Sequence, residues 1–227
     1  MLHICGERCL NFVVTTISIN QNKIKTMKRS AIYTLILAAF AVAGMSFTNP
    51  VEGERDRRTV SVEESNIIWN GYKVTGSHTG TIKLKSGALE FEGDQLVGGE
   101  FAIDMTSIAV TDLSGEYQKK LEGHLKSQDF FGVEDHPTAT FKITKVVSRG
   151  TPGDYKIIGD LTIKDITNEI KFLTNLKEDS GKTKATAEVK VDRSEYNVRY
   201  GSGSFFDNLG DKTIYDEFDL EVMLVVN

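Results

Sequence analysis

The sequence predicts an all-β fold, a closed antiparallel barrel of about eight strands with one short helix covering an end. Three observations predict it: apolar and polar residues alternate through most of the chain after Thr59, the intervals between the alternating runs are short, and only one segment has helical spacing. Alternation of this kind gives each strand one apolar and one wet face, as antiparallel sheets with one buried side require. It does not show closure, so a two-sheet sandwich remains the competing arrangement.

Taken in order, residues 44–58, ending in VEGERDRR, mix charge with Gly and Pro and are expected to form a mobile leader. In TGTIKLKSGALEFEG, Ile82 and Leu84 share a face, and Ser86-Gly87 is read as a turn after which Leu89 and Phe91 resume an apolar face. The next strand, Leu96 to Met105, aligns Phe101, Ile103 and Met105. Between Asp112 and Leu125 the period changes: Leu113, Tyr117, Leu121 and Leu125 fall four apart, which predicts an amphipathic helix. Alternation then returns, with Ala139, Phe141 and Ile143 in TATFKITKV, and Tyr155, Ile157, Leu161 and Ile163 in DYKIIGDLTIK. NEIKFLTNL contributes Ile170, Phe172 and Leu176, and KTKATAEVKV contributes Ala185, Ala187, Val189 and Val191. EFDLEVMLVV closes the series with Phe218, Leu220, Val222, Leu224 and Val226.

Strands of about ten residues at roughly 3.3 Å each, tilted by about 40°, make a barrel about 25 Å tall. Eight strands enclose either packed side chains or one slim ligand. The alternation fits both, because any barrel needs apolar residues inside.

The N-terminal region has a different composition. From Met27, MKRSAIYTLILAAFAVAG has two cations, an apolar run too short to span a bilayer, and Ala41 and Ala43 in an A-x-A arrangement. Residues 27–43 are therefore expected to be a signal peptide, and 1–26 an extension upstream of the true start. Both cysteines, Cys5 and Cys9, fall in that extension, so the exported chain has no thiol. Removing residues 1–43 takes away a net +4 and leaves a domain of net charge −9. Such a surface repels nucleic acid.

Catalytic and metal motifs are incomplete. His78, His124 and His136 show no H-x-x-x-H or H-x-H spacing, and a lone loop histidine is more often hydrogen-bonded or solvated than a metal ligand. YGSGSF at 200–205 does not fit a nucleophile elbow, because Gly203 directly follows Ser202 and Phe205 closes the frame. Asp129, Glu134 and Asp135 sit in a charged connection before Pro137 and read as a solvated turn. No cofactor motif is present. The unusual feature of GHLKSQDFFGVEDHPTATF is Phe130-Phe131, since adjacent aromatics in a polar connection usually bury against something.

Five motifs in order, IIWNGYKVTGSHTGTI, GGEFAIDMTSI, KLEGHLKSQDFFGVEDHPTATF, GDLTIKDIT and VDRSEYNVRYGSGSF, resemble the YceI-like family of exported lipid-binding proteins from about Val60 to Val226. The resemblance implies a lipocalin-like eight-stranded barrel at 59–227 that holds a polyisoprenoid or similar amphiphile, in the periplasm or outside the cell. It matches His78 to the family's H-x-G motif, His124 and Leu125 to its G-H-L, Phe130 and Phe131 to its F-F, and Pro137 to the proline before the strand. Asp165 departs from the glycine common after LTIK.

The ligand-binding residues expected on this basis are Phe91, Phe101, Phe141, Ile157, Phe172 and Leu220 along the bore, with Phe130, Phe131, His78 and His124 at the rim. Arg193, Tyr196 and Lys126 are placed at the mouth as groups that orient a polar head. No catalytic residue, metal or cofactor is expected. Transient membrane contact and a homodimer are both left open. Two other readings stand beside the carrier: an enzyme using His78 or His124 as a base, and an interaction module with a filled core.

Overall fold

The computed structural model describes residues 55–227. The expected extension at 1–26, the signal peptide at 27–43 and the leader as far as residue 54 lie outside the described residues. The domain is built from β1 (Asp56–Thr59), β2 (Asn66–Lys73), β3 (Gly76–Glu92), β4 (Gln95–Val110), α1 (Gly115–Lys126), β5 (Thr138–Ser148), β6 (Asp154–Ile163), β7 (Ile166–Asp179), β8 (Lys182–Asp192) and β9 (Ile214–Val226).

All pairings are antiparallel, and the order β2-β9-β8-β7-β6-β5-β4-β3 returns to β2, so eight strands close into a barrel. Closure removes the free sheet edges that a sandwich would leave. Strand β1 is a ninth, short strand laid along the second half of β3, from Asp56↔Phe91 to Thr59↔Ala88. Val60 then bridges to Val226, which carries the seam between β3 and β9 to the end of the barrel.

Three expectations are corrected here. The leader ends earlier than residue 58, because Asp56–Arg58 belong to β1. Their charges mimic a linker, yet Arg55 and Arg57 pair with Glu90, Glu92 and Glu100, while the Arg58 guanidinium lies 4.4 Å from the centre of the Phe91 ring. Ser86-Gly87 is not a turn: β3 runs straight through it, and a register shift between Leu84 and Ser86 moves the inward set from 82 and 84 to 89 and 91. The strand Asn66–Lys73 was not resolved by alternation. The expected total of eight holds because one strand was divided and another was missed.

In an antiparallel barrel, connections alternate between the two ends. The tips at 93–94, 149–153 and 180–181 define a tight end, where Val60, Phe91, Leu96, Tyr155 and Val226 are all buried. The connections at 74–75, 111–137, 164–165 and 193–213 define a capped end. Helix α1 lies there, tied to the last residue of β4: Gln118 donates to the Val110 carbonyl at 2.8 Å, and Glu122 accepts from its N–H at 2.9 Å. Leu121 and Leu125 reach the barrel interior, but Tyr117, expected on the same stripe, is 77% exposed. The helix crosses a mouth rather than a filled core, so only its later turns find apolar neighbours.

Candidate ligand cavity

The inward faces of the eight strands surround a cavity of about 360 Å³. Several inward residues, among them Phe101, Ile103, Phe172, Phe218, Leu220 and Val222, are only partly buried although they point away from bulk water. Their residual exposure is to the bore. A close-packed interior would leave none.

The wall stays thin where bulky rings would otherwise fill it. Trp69, Phe101 and Phe141 each lie against an inward glycine. A Cβ on Gly80 would overlap both the Ala109 carbonyl and the Trp69 ring, one on Gly87 would meet the Phe101 ring at 2.6 Å, and one on Gly159 would meet the Phe141 ring at 2.5 Å and the Lys142 carbonyl at 2.6 Å. The absent side chains let the rings lie along the wall instead of projecting across it. Phe101 and Phe141 are stacked at 6.4 Å, and Phe141 meets Phe172 at 5.5 Å, which makes a continuous aromatic strip over β4, β5 and β7.

Nine of the ten expected residues line this cavity: His78, Phe101, His124, Phe130, Phe131, Phe141, Ile157, Phe172 and Leu220. Phe91 does not. It is 3% exposed and packs into the tight-end plug under Arg58, because the shift in β3 sends it past the end of the bore. Of the three groups expected to orient a head, Arg193 lines the cavity, whereas Tyr196 and Lys126 do not. Sequence reasoning missed Trp69, whose signal was an inward aromatic in the unrecognised strand β2, facing Gly80.

The lining is apolar along the wall, and its charged and histidine side chains, Lys73, His78, His124 and Arg193, all belong to the capped end. Arg193 is the hub of that end. It is 2% exposed and donates to the carbonyls of Val198 at 2.7 Å, Ile214 at 3.0 Å and Tyr215 at 3.2 Å, with Asp216 at 3.1 Å. Burial pulls its pKa below the ordinary value, against the opposing charges of Asp216 and Asp192. Its guanidinium also lies 5.4 Å from the Phe130 ring, which ties the 193–213 connection to the Phe130-Phe131 loop. His124 packs edge-on to Phe130 at 5.8 Å and to Tyr200 at 4.3 Å. Its Nε2 is buried with no hydrogen-bond partner among the described residues, and so is Nε1 of Trp69.

At the other side of the mouth His78 Nδ1 lies 2.9 Å from Asp112 Oδ2. Burial alone would raise the Asp112 carboxyl, but hydrogen bonds from His78 and from the Thr79 and Asp112 backbone hold it below the usual carboxylate range. Tyr72 donates to Asp219 at 2.8 Å, and that hydrogen bond leads the effects that lower the Asp219 carboxyl. A histidine oriented by a carboxylate is half of an acid-base system, and no nucleophile stands within hydrogen-bonding distance of it among the described residues.

Residues 59–226 match the YceI-like domain family. A UPF0312 protein of Ectopseudomonas mendocina (strain ymp) is 27% identical over 161 residues, covering 68% of this chain and 78% of that protein. A UPF0312 protein of Staphylococcus aureus (strain USA300) is 51% identical over 51 residues, which span 22% of this chain and only 26% of the relative. Among solved structures, BcnA of Burkholderia cenocepacia superposes with a TM-score of 0.61 at 20% identity, covering 74% of this chain and 99% of that one. A polyisoprenoid binding domain from Saccharophagus degradans, implicated in plant cell wall breakdown, gives 0.56 at 15% identity over 75% and 97% of the two chains.

Proposed function

The chain belongs to the YceI-like family, and on that premise we propose that it is a carrier that binds a polyisoprenoid or similar long-chain amphiphile inside its barrel after export to the periplasm. One observation carries the reading: the bore is hollow and apolar along its wall, and its charged side chains are confined to the capped end. That distribution matches a molecule with a long tail and one polar head. The solved relative described as a polyisoprenoid binding domain supports the same ligand class.

The energetics suit exchange rather than storage. Each buried CH₂ is worth about 0.8 kcal/mol against water, so a tail of about twenty carbons gains over ten kcal/mol before ordering losses. A bilayer offers the same tail nearly the same gain. Transfer between membrane and barrel therefore runs close to balance, and binding is reversible without an energy source. No bond needs to form or break.

Native mass spectrometry of the protein purified from the periplasmic fraction of its own host tests this directly. The expected species is a polypeptide beginning at Gly44 with one lipid of long hydrocarbon tail, released by organic solvent. A bare polypeptide mass, in a preparation never exposed to detergent, would overturn the carrier reading and leave the interaction module. A second reading, an enzyme acting on the bound amphiphile, draws on the His78–Asp112 pair alone. Chemical alteration of an added lipid by the purified protein would favour it.

A further inference from the structure

A second concavity lies outside the capped end, lined by Gln128, Asp129, Lys164, Asn197, Arg199 and Lys212 and by the apolar side chains of Tyr200, Phe206 and Leu209. Its cations have no counter-ions among the described residues: no carboxylate oxygen there lies within 4 Å of Lys164, Arg199 or Lys212, although most of the arginines in the domain are ion-paired. Lys164 uses one N–H on the Phe130 carbonyl at 3.0 Å, Arg199 uses Nε on Asn197, and their other donors make no hydrogen bond among the described residues. Asp129 is the one acid in the lining, so the groove carries a local excess of two positive charges in a domain of strongly negative net charge.

The placement of Lys164 is costly, which argues against accident. It occupies a left-handed conformation, φ 50°, and Asp165 follows at φ 61°, the geometry of a two-residue hairpin turn that ordinarily selects Asn-Gly. Burial and the neighbouring charge of Arg199 both push the Lys164 ammonium below its ordinary pKa. Two cations held close together without a counter-charge repel each other until an anion joins them.

The groove also adjoins the cavity. Tyr200 of the groove packs on His124 of the cavity at 4.3 Å, and Lys164 bonds the carbonyl of Phe130, another cavity residue. The two linings therefore touch at Tyr200–His124 and at Lys164–Phe130.

We infer that this groove is an anion site for a phosphate-type head, and that the amphiphile of the cavity carries one, its tail passing Tyr200 into the bore. The second clause rests on the carrier reading, and the first does not.

The test has two arms on the full-length exported chain at low ionic strength. In the first, inorganic phosphate is titrated while backbone amide shifts are followed by NMR. Saturable shifts are expected at Lys164, Asn197 and Arg199, lost in the double variant Arg199→Gln/Lys212→Gln, which leaves the bond from Lys164 to the Phe130 carbonyl in place. Shifts that are absent, scattered over the surface or unchanged in the variant overturn the anion site. In the second arm farnesyl phosphate is compared with farnesol. A preference of at least tenfold for the phosphate is expected, falling to within twofold in the double variant while farnesol binding is unchanged. Equal binding of the two by the wild-type chain overturns the head assignment and leaves the carrier standing. Phosphate binding in the first arm with neither prenyl compound bound in the second keeps a site for free phosphate and sinks the carrier and the head assignment together. Inorganic phosphate binding as tightly as farnesyl phosphate likewise marks free phosphate as the occupant and overturns the lipid-head assignment.

Discussion

Between the wall of the barrel and its cap the chemistry changes. The wall is made of eight strands whose inward residues are apolar, and three of its aromatic rings lie over glycines so that the centre stays open. At the cap, a buried arginine holds three backbone carbonyls, a helix is tied to Val110 by two polar side chains, and the loop of Phe130 is clamped by Lys164. The wall can tolerate a hollow because apolar surface facing an apolar ligand loses little, whereas the cap must satisfy polar groups that no ligand tail can satisfy. The barrel therefore concentrates its directional bonds where the chain has to be irregular.

The largest effect should come from the hub of the cap. Arg193→Met removes the donors of the Val198, Ile214 and Tyr215 carbonyls and leaves the Asp216 carboxylate without its cation, held among the described residues only by the Ser204 hydroxyl. Breaking a buried pair in this way costs about 3–5 kcal/mol. Urea denaturation should show that loss as a lower midpoint at unchanged slope. A loss under 1 kcal/mol would mean that the cap is held by apolar packing, as the wall is.

A smaller effect on stability, with a larger one on loading, is expected in the wall. Gly87→Ala places a methyl 2.6 Å from the Phe101 ring, with no backbone atom in the way. The ring must swing into the bore, at a cost of about 1–3 kcal/mol for overpacking. Bound lipid per protein should drop severalfold. Adding Phe101→Leu should restore it, because the smaller side chain needs no glycine opposite. If the single variant loads normally, the glycines do not keep the bore open.

The contrast between wall and cap also explains how much could be read from the sequence. Wall residues such as Phe141, Ile157, Phe172 and Leu220 announce themselves by alternation, which is a local signal, and the structure puts all four on the cavity. The local signal fails where the ladder is irregular. The register shift beside Ser86 imitates a turn, Gly71 and Tyr72 blur the period of β2, and the charged edge strand β1 reads as a linker. It fails again at the cap, where the partners are far apart in the chain: Arg193 with Ile214, Lys164 with Phe130, His78 with Asp112. Asp165 in place of glycine looked like an isolated departure, yet its carboxylate lies 3.0 Å from His136 Nδ1, across the cap. No periodicity encodes such contacts.

The smallest effect at neutral pH belongs to Tyr196, and it separates the polar groups that hold the cap from one that does not. Its side chain is fully buried, its hydroxyl has no partner among the described residues, and burial, reinforced by Glu195 and Asp192, pushes its pKa up to about 12. Tyr196→Phe removes an unsatisfied hydroxyl and keeps the ring, so stability at pH 7 should change by less than about 1 kcal/mol, with a gain as the expected sign. The neutral phenol is the form that the folded state favours, so the stability linked to it is complete below the unfolded pKa of about 10 and is lost as pH rises toward 12. The wild-type chain should therefore weaken above about pH 10 faster than the variant, a difference visible in paired urea midpoints across that range. Parallel curves would mean that the hydroxyl reaches water or a partner in solution, and that the cap, unlike the wall, is loose enough to admit it.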